Sequence, residues 1–172
     1  GGTSDGPGDA KGLRIGHINA QGLKSAESVK KKIKPLKNMI REHKFHDIGF
    51  TETHYYDQPQ AQNIKGYQRA VLECRKERKG GGVAVYVKKG VNYILMDRQT
   101  YTYNEASTHR MGPEDEHPIQ YIHIKVTKIY ERTIPHIHVV IIYVPPNAVK
   151  QLTALVDFLQ DKMRGYSSVV VL

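Results

Sequence analysis

Short apolar runs rich in β-branched residues, each bounded by turn residues, dominate the chain from Leu13 onward. Runs of this length and composition are typical of buried β-strands. The predicted strands span 13–19, 47–50, 81–89, 119–126, 136–144 and 167–172. The run at 136–144 is apolar on both faces near its end, as in the central strand of a sheet.

Two stretches between these runs have helical spacing instead. In the segment 28–43, apolar residues recur at steps of three and four, and lysines occupy the other faces. Pro35 lies inside this segment, so we expect it to kink or divide the helix. A second apolar stripe runs from Leu152 to Met163. Strands and helices that share one chain in this way predict an α/β fold.

The remaining segments have the composition of linkers and loops. Residues 1–12 are rich in Gly, Asp and Ser, which predicts a flexible linker or tail and places the folded domain at 13–172. The polar stretch 97–118 has little periodicity and is predicted to be a long loop.

The charge balance indicates which partners the protein prefers. There are 26 Lys and Arg residues against 17 Asp and Glu, a net charge of +9, which favours polyanions such as nucleic acid or an anionic membrane face. The single cysteine, Cys74, excludes a disulfide within the chain. No signal-peptide core and no run near the ~18 apolar residues of a membrane span is present, so we expect an intracellular protein without a membrane partner.

Two polar residues follow predicted strands at positions suited to chemistry. Asn19 ends the strand 13–19, and Glu52 comes directly after the strand 47–50. Open α/β sheets place their sites at strand ends, and Mg²⁺ often takes only one or two protein carboxylates. From spacing alone, Glu52 is either a magnesium ligand or a solvated surface glutamate.

Four motifs in order extend this interpretation: "HINAQGL", "TETH", "GGGVAVYV" and "IIYVPPNA", followed by a helix and a "VVVL" strand. Their order and spacing resemble the endonuclease/exonuclease/phosphatase superfamily. The closest resemblance is to the apurinic-endonuclease-like domain of LINE-type (non-LTR) retrotransposons. It covers 13–172 and implies a four-layer α/β/β/α sandwich, of which this chain supplies the first half.

The resemblance also implies roles for individual residues. Glu52 holds the catalytic Mg²⁺, with Mn²⁺ as an alternative, and Asn19 sits beside the metal and the scissile phosphate. Tyr143 orients that phosphate, and Asn147 lines the DNA groove. The partners are double-stranded DNA and a reverse transcriptase domain of the same polyprotein, which implies action in the nucleus.

The sequence departs from the family pattern after its last strand. In the family this strand runs on into Gly-Asp-x-Asn, and a later Ser-Asp-His supplies the Asp–His pair that activates water. Neither motif occurs in the 172 residues. Because hydrolysis needs a base within hydrogen-bonding reach, we expect a truncated domain with little activity of its own. We also expect the apolar inner face of the first sheet, with Val83, Val85 and the strand of Ile141, to lack a partner.

Other polar segments have both functional and plain structural interpretations. Residues proposed to contact the DNA backbone are His54, Arg75, Lys76, Arg78 and Lys79. A solvated turn explains the last four equally well. The three glycines at 80–82 are interpreted as a tight turn, because no Gly-Lys-Ser/Thr follows them. His17, His123, His136 and His138 are interpreted as structural.

Two alternative functions remain open at this stage. One is another phosphoesterase on the same scaffold, such as a phosphoinositide phosphatase or a sphingomyelinase, because a fold does not determine its substrate. The other is a non-catalytic DNA-binding remnant of a retroelement, which would bind DNA in a salt-sensitive way without Glu52.

Overall fold

A computed structural model describes residues 12–20, 38, 40, 44–53, 63–74, 81–101, 119–145, 149–166 and 168–172. The described elements are β1 (Ile15–Asn19), β2 (Asp47–Thr51), β3 (Val71–Glu73), β4 (Val83–Val87), β5 (Val91–Tyr101), β6 (Ile119–Ile129), β7 (Arg132–Tyr143), α1 (Val149–Lys162) and β8 (Val169–Val171).

The first sheet has the order β1-β2-β4-β3. β1 and β2 are parallel, with Asn19 opposite Thr51, whereas β4 runs antiparallel to both β2 and β3. β2 and β4 are buried along their whole length, as expected for central strands. The carboxyl ends of β1 and β2 therefore meet at one end of the sheet.

The second sheet has the order β5-β6-β7-β8. β6 and β7 form a long antiparallel hairpin, and β8 pairs in parallel with β7. The hairpin turns at Tyr130 and Glu131, which both have positive φ values of 49° and 67°. Two successive left-handed residues form the tight turn whose twist suits neighbouring strands.

Three apolar clusters separate four layers, as the predicted α/β/β/α sandwich requires. Ile48, Phe50 and Tyr86 pack with the helical residue Ile40 on the outer face of the first sheet. A second cluster fills the space between the sheets, and a third joins the outer face of the second sheet to Leu155 and its neighbours on α1. The fold class is confirmed.

The expectation that the inner face of the first sheet lacks a partner is wrong. Val83, Val85 and Ile141 are each at most 1% exposed, because Ile141 belongs to the second sheet and packs against the first. The approach is close at Gly49, where an added Cβ would lie 2.7 Å from Ile141 Cγ1. Glycine at this position lets β2 and β7 pack directly on each other.

All six predicted strands are confirmed, and two further strands were not predicted. β3 and β5 had no counterpart in the prediction, and β5 replaces the first five residues of the predicted loop 97–118. The rest of that loop, all but the last residue of the predicted linker 1–12 and most of the predicted helix 28–43 lie outside the described residues. No helix in the described part of the chain is long and apolar enough to cross a membrane.

Candidate functional site

Asn19 and Glu52 lie at the same end of the first sheet. Asn19 is the last residue of β1, and Glu52 directly follows β2. The backbone N–H of Ala20 donates to the carbonyl of Thr51 at 2.8 Å, so the chain segments beyond both strands stay adjacent. The Asn19 side chain is exposed and that of Glu52 is half-buried. The parallel pairing thus brings together two residues that are 33 positions apart.

Glu52 has a left-handed backbone conformation, with φ at 55°. A residue with a Cβ rarely adopts this conformation outside turns, and Asn, Asp and Gly accept it more readily than Glu. Such strain costs on the order of 1–3 kcal/mol and is concentrated at functional sites. The next residue, Thr53, donates its backbone N–H to Gly82 O at 3.4 Å, which helps to hold the bend.

Gln120 connects this end of the first sheet to the second sheet. Its side chain is fully buried, and its Oε1 accepts a hydrogen bond from the backbone N–H of Gly82 at 2.7 Å. Gly82 has φ at 95°, a left-handed conformation that glycine adopts without strain. Because Gln120 pairs with Tyr143 across β6 and β7, Tyr143 lies at the same end of the sandwich.

The packing of the two sheets against each other also places Tyr143 at the end of the sandwich that carries Glu52. β2 contacts β7, and the carboxyl ends of both strands lie at this end of the sandwich, where Gly82 bonds to Gln120. The Tyr143 side chain is half-buried and packs against the cluster between the sheets. The predicted residues Asn19, Glu52 and Tyr143 are therefore gathered at one end.

Three further polar residues near this end were not predicted as site residues. His17 Nε2 lies 3.5 Å from Thr51 Oγ1, and burial lowers the pKa of His17. His17 shares a strand face with Asn19, so strict alternation could have indicated it. Gln120 could have been noticed as a polar residue inside an apolar strand. The pairing with Thr51 needs the register of β1 and β2, which the sequence does not specify.

The other predicted site residues lie outside the described residues. These are His54, Arg75, Lys76, Arg78, Lys79 and Asn147. Among the residues that the structure covers, no group of three His, Cys, Asp or Glu side chains could hold a metal ion. The fit to Mg²⁺ depends on a smaller donor set, the Glu52 carboxylate and the Asn19 amide oxygen. Both are hard oxygen ligands on accessible side chains, as Mg²⁺ requires when water fills the rest of its shell.

Solved structures with the same arrangement of sheets decide the fold. An endonuclease/exonuclease/phosphatase family protein from Bacteroides thetaiotaomicron superposes with a TM-score of 0.62 at 12% identity, covering 92% of this chain and 62% of the other. The protein therefore has the endonuclease/exonuclease/phosphatase fold. No protein-family model and no curated protein matches the sequence.

Two further solved enzymes have this fold. A 3′ phosphatase from Neisseria bound to a product DNA hairpin has a TM-score of 0.59 at 16% identity, covering 94% of this chain and 56% of the other. An AP endonuclease from Archaeoglobus fulgidus has a TM-score of 0.54 at 17% identity, covering 93% and 56%. The chain thus spans about three fifths of the length of the proteins that it resembles.

Proposed function

We propose that the protein is a metal-dependent DNA endonuclease domain of a non-LTR retrotransposon, which nicks double-stranded DNA to prime reverse transcription. The observation that carries this proposal is the convergence of Asn19, Glu52 and Tyr143 at one end of the sandwich. The order of the sequence motifs around them supports the retrotransposon assignment. The net charge of +9 favours DNA over an uncharged substrate.

In this proposal the chain's own residues position a phosphodiester. Glu52 and Asn19 hold Mg²⁺ or Mn²⁺, which when bound polarises a phosphoryl oxygen and stabilises developing negative charge. The Tyr143 hydroxyl donates a hydrogen bond to a phosphate oxygen. Arg75, Lys76, Arg78, Lys79 and His54 contact the DNA backbone, and Asn147 lines the groove. A reverse transcriptase domain of the same polyprotein then extends the nicked strand in the nucleus.

The 172 residues hold the phosphate but do not supply the full catalytic set. They contain neither Gly-Asp-x-Asn nor Ser-Asp-His, so the proposed Asp–His pair for activating water is not among them. We therefore expect this polypeptide to bind DNA in a metal-dependent way and to nick it slowly or not at all.

Replacing Glu52 tests the proposal directly. We expect Glu52→Gln to weaken the Mg²⁺-dependent part of DNA binding by about tenfold or more, because the amide keeps the shape of the side chain but loses its charge. Fluorescence anisotropy of a labelled duplex, with and without Mg²⁺, measures this loss. Glu131→Gln is a matched control, since Glu131 is also a glutamate with positive φ but lies at the β6–β7 turn.

Two results would count against the proposal. One is equal DNA binding by the wild type and Glu52→Gln at every Mg²⁺ concentration. The other is hydrolysis of a small phosphomonoester in preference to any interaction with DNA. Strong Mg²⁺-dependent nicking of supercoiled plasmid, lost in Glu52→Gln, would support the site but contradict the requirement for the Asp–His pair.

A further inference from the structure

A cavity lies at the opposite end of the first sheet from Glu52. It has a volume of about 590 Å³ and is lined by Ile40, Lys44, Ile64, Lys65, Tyr67 and Lys88, which we name the basic pocket. Lys88 follows β4 at the end where Asp47 pairs with Val87. The four strand steps from Asp47 to Thr51 span about 13 Å, and Glu52 lies beyond them, so the pocket is distinct from the candidate site.

The walls of the basic pocket are fixed by hydrogen bonds. The Tyr67 hydroxyl donates to Phe45 O at 2.6 Å, and the backbone N–H of Tyr67 donates to Ile64 O at 3.0 Å. On the other side, the backbone N–H of Lys88 donates to His46 O at 2.8 Å. The chain on either side of the cavity is therefore held before any ligand arrives, which lowers the entropic cost of binding.

The basic pocket combines an apolar floor with a cationic rim. Ile40, Ile64 and Tyr67 are each at most 8% exposed and form the floor. Three lysines contribute positive charge, and among the described residues neither Lys65 nor Lys88 pairs with a carboxylate. A cavity of this size with lysines on its rim is suited to a small anionic ligand.

Nearby titratable groups do not cancel this positive charge. Burial, then the charges of Tyr130 and Asp47, raise the pKa of Tyr67 to about 12, so its hydroxyl stays neutral. Burial lowers the pKa of His46, and the charges of Lys88 and Arg14 lower it further. Asp47 is fully buried, and burial raises the pKa of its carboxyl to about 7, which reduces its negative charge at neutral pH.

We propose that the basic pocket binds a phosphate group, with Lys44, Lys65 and Lys88 around the anion and the apolar floor against the organic part of the ligand. Lysine ammonium groups bind phosphate as point charges, and three of them around one cavity match a group with several anionic oxygens. The phosphate could come from a nucleic-acid strand or from a small phosphate ester. The proposal does not depend on the candidate site at Glu52.

Charge-matched double variants test the proposal. Lys65→Gln with Lys88→Gln removes two charges from the basic pocket, whereas Lys89→Gln with Lys128→Gln removes two charges that do not line it. With a labelled 12-nucleotide single-stranded DNA and with pyrophosphate as probes, we expect the first pair to weaken binding about tenfold or more. The control pair should weaken binding much less.

Amide chemical shifts locate the bound probe, and thermal melts establish that each variant is folded. Shifts at Gly66, Tyr67 and Lys88 with the oligonucleotide alone would support the proposal with a nucleic-acid strand as the source. The same shifts with pyrophosphate would support it with a small phosphate ester as the source. Equal losses in the two double variants, or no shifts at these amides with either probe, would overturn it.

Discussion

Asp47→Asn should make the protein more stable, by an amount that grows as the pH rises from about 4 to about 7. Asp47 is fully buried in β2, and among the described residues neither of its carboxyl oxygens has a hydrogen-bond partner. Burial raises the pKa of this carboxyl from 3.8 to about 7. The folded protein therefore holds a proton that the unfolded chain releases above pH 4, and folding stability falls as the pH rises through this window.

The size of the effect follows from the two pKa values. The carboxyl pKa is 3.8 in the unfolded chain and about 7 in the folded protein. This difference corresponds to a loss of roughly 4 kcal/mol in the free energy of unfolding by pH 8, which Asp47→Asn should recover. Urea unfolding at several pH values between 4 and 8 measures it. Asp161→Asn is the control. Because the Asp161 side chain is exposed, this substitution should leave the pH dependence of folding stability almost unchanged. Parallel profiles for the wild type and Asp47→Asn would contradict this account.

His123→Gln should remove an opposite pH dependence. His123 is fully buried on β6, and its Nε2 lies 2.8 Å from His138 Nδ1. The His138 ring stacks on Tyr166 with centroids 3.7 Å apart. Burial lowers the pKa of His123 to about 4, with help from the charges of His138 and Lys162 and against that of Asp97. Burial also lowers the pKa of His138, and the charges of Lys125 and His136 lower it further.

In the unfolded chain His123 takes up a proton near pH 6.5, whereas in the folded protein it does so only near pH 4. Folding stability is therefore lost as the pH falls from about 6.5 to 4. The loss amounts to roughly 3 kcal/mol at most. Glutamine can keep a hydrogen bond at the Nε2 position without titrating. His136→Gln is the control, since His136 is exposed on the same strand. If His123→Gln loses as much stability in urea unfolding as the wild type between about pH 6.5 and 4, the histidine pair does not cause the acid destabilisation.

The two buried groups oppose each other in almost the same pH range. Asp47 destabilises the fold as the pH rises, and His123 destabilises it as the pH falls. The wild-type profile should therefore be flatter than that of either variant. In Asp47→Asn the folding stability should rise with pH. His46 contributes to this rise, because burial lowers its pKa as well.

Strands β1, β2 and β4 of the first sheet could be predicted because their composition determines them locally. The runs at 13–19 and 47–50 are short, apolar and bounded by polar residues, as β1 and β2 are. β5 was missed because it is an edge strand with a register shift between Leu95 and Asp97. Exposed Ile94, Leu95 and Met96 follow one another there, so no alternating pattern marks the strand.

The candidate site could be predicted only in part. The motifs identified Asn19, Glu52 and Tyr143, but their gathering depends on parallel pairing of β1 with β2 and on stacking of β2 over β7. The left-handed conformation of Glu52 has no glycine to signal it.

Long-range register also explains the histidine pair. His136 and His138 share a strand face, yet the hydrogen bond joins His138 to His123 on the neighbouring strand. That contact depends on the tight turn at Tyr130 and Glu131 and on the register shift between Val126 and Lys128. Local sequence patterns do not determine such cross-strand contacts.

We propose that Glu52 and Asn19 hold a divalent ion at one end of the sandwich. Paramagnetic broadening of backbone amide signals by Mn²⁺ tests this claim most directly, because it locates the ion without requiring activity. We expect the strongest broadening at the amides of Asn19, Glu52 and Thr53, little at Lys88 and Gly90, and loss of the effect in Glu52→Gln. Broadening centred on the His123–His138 pair or on the Asp47 end, or broadening that persists in Glu52→Gln, would contradict the claim.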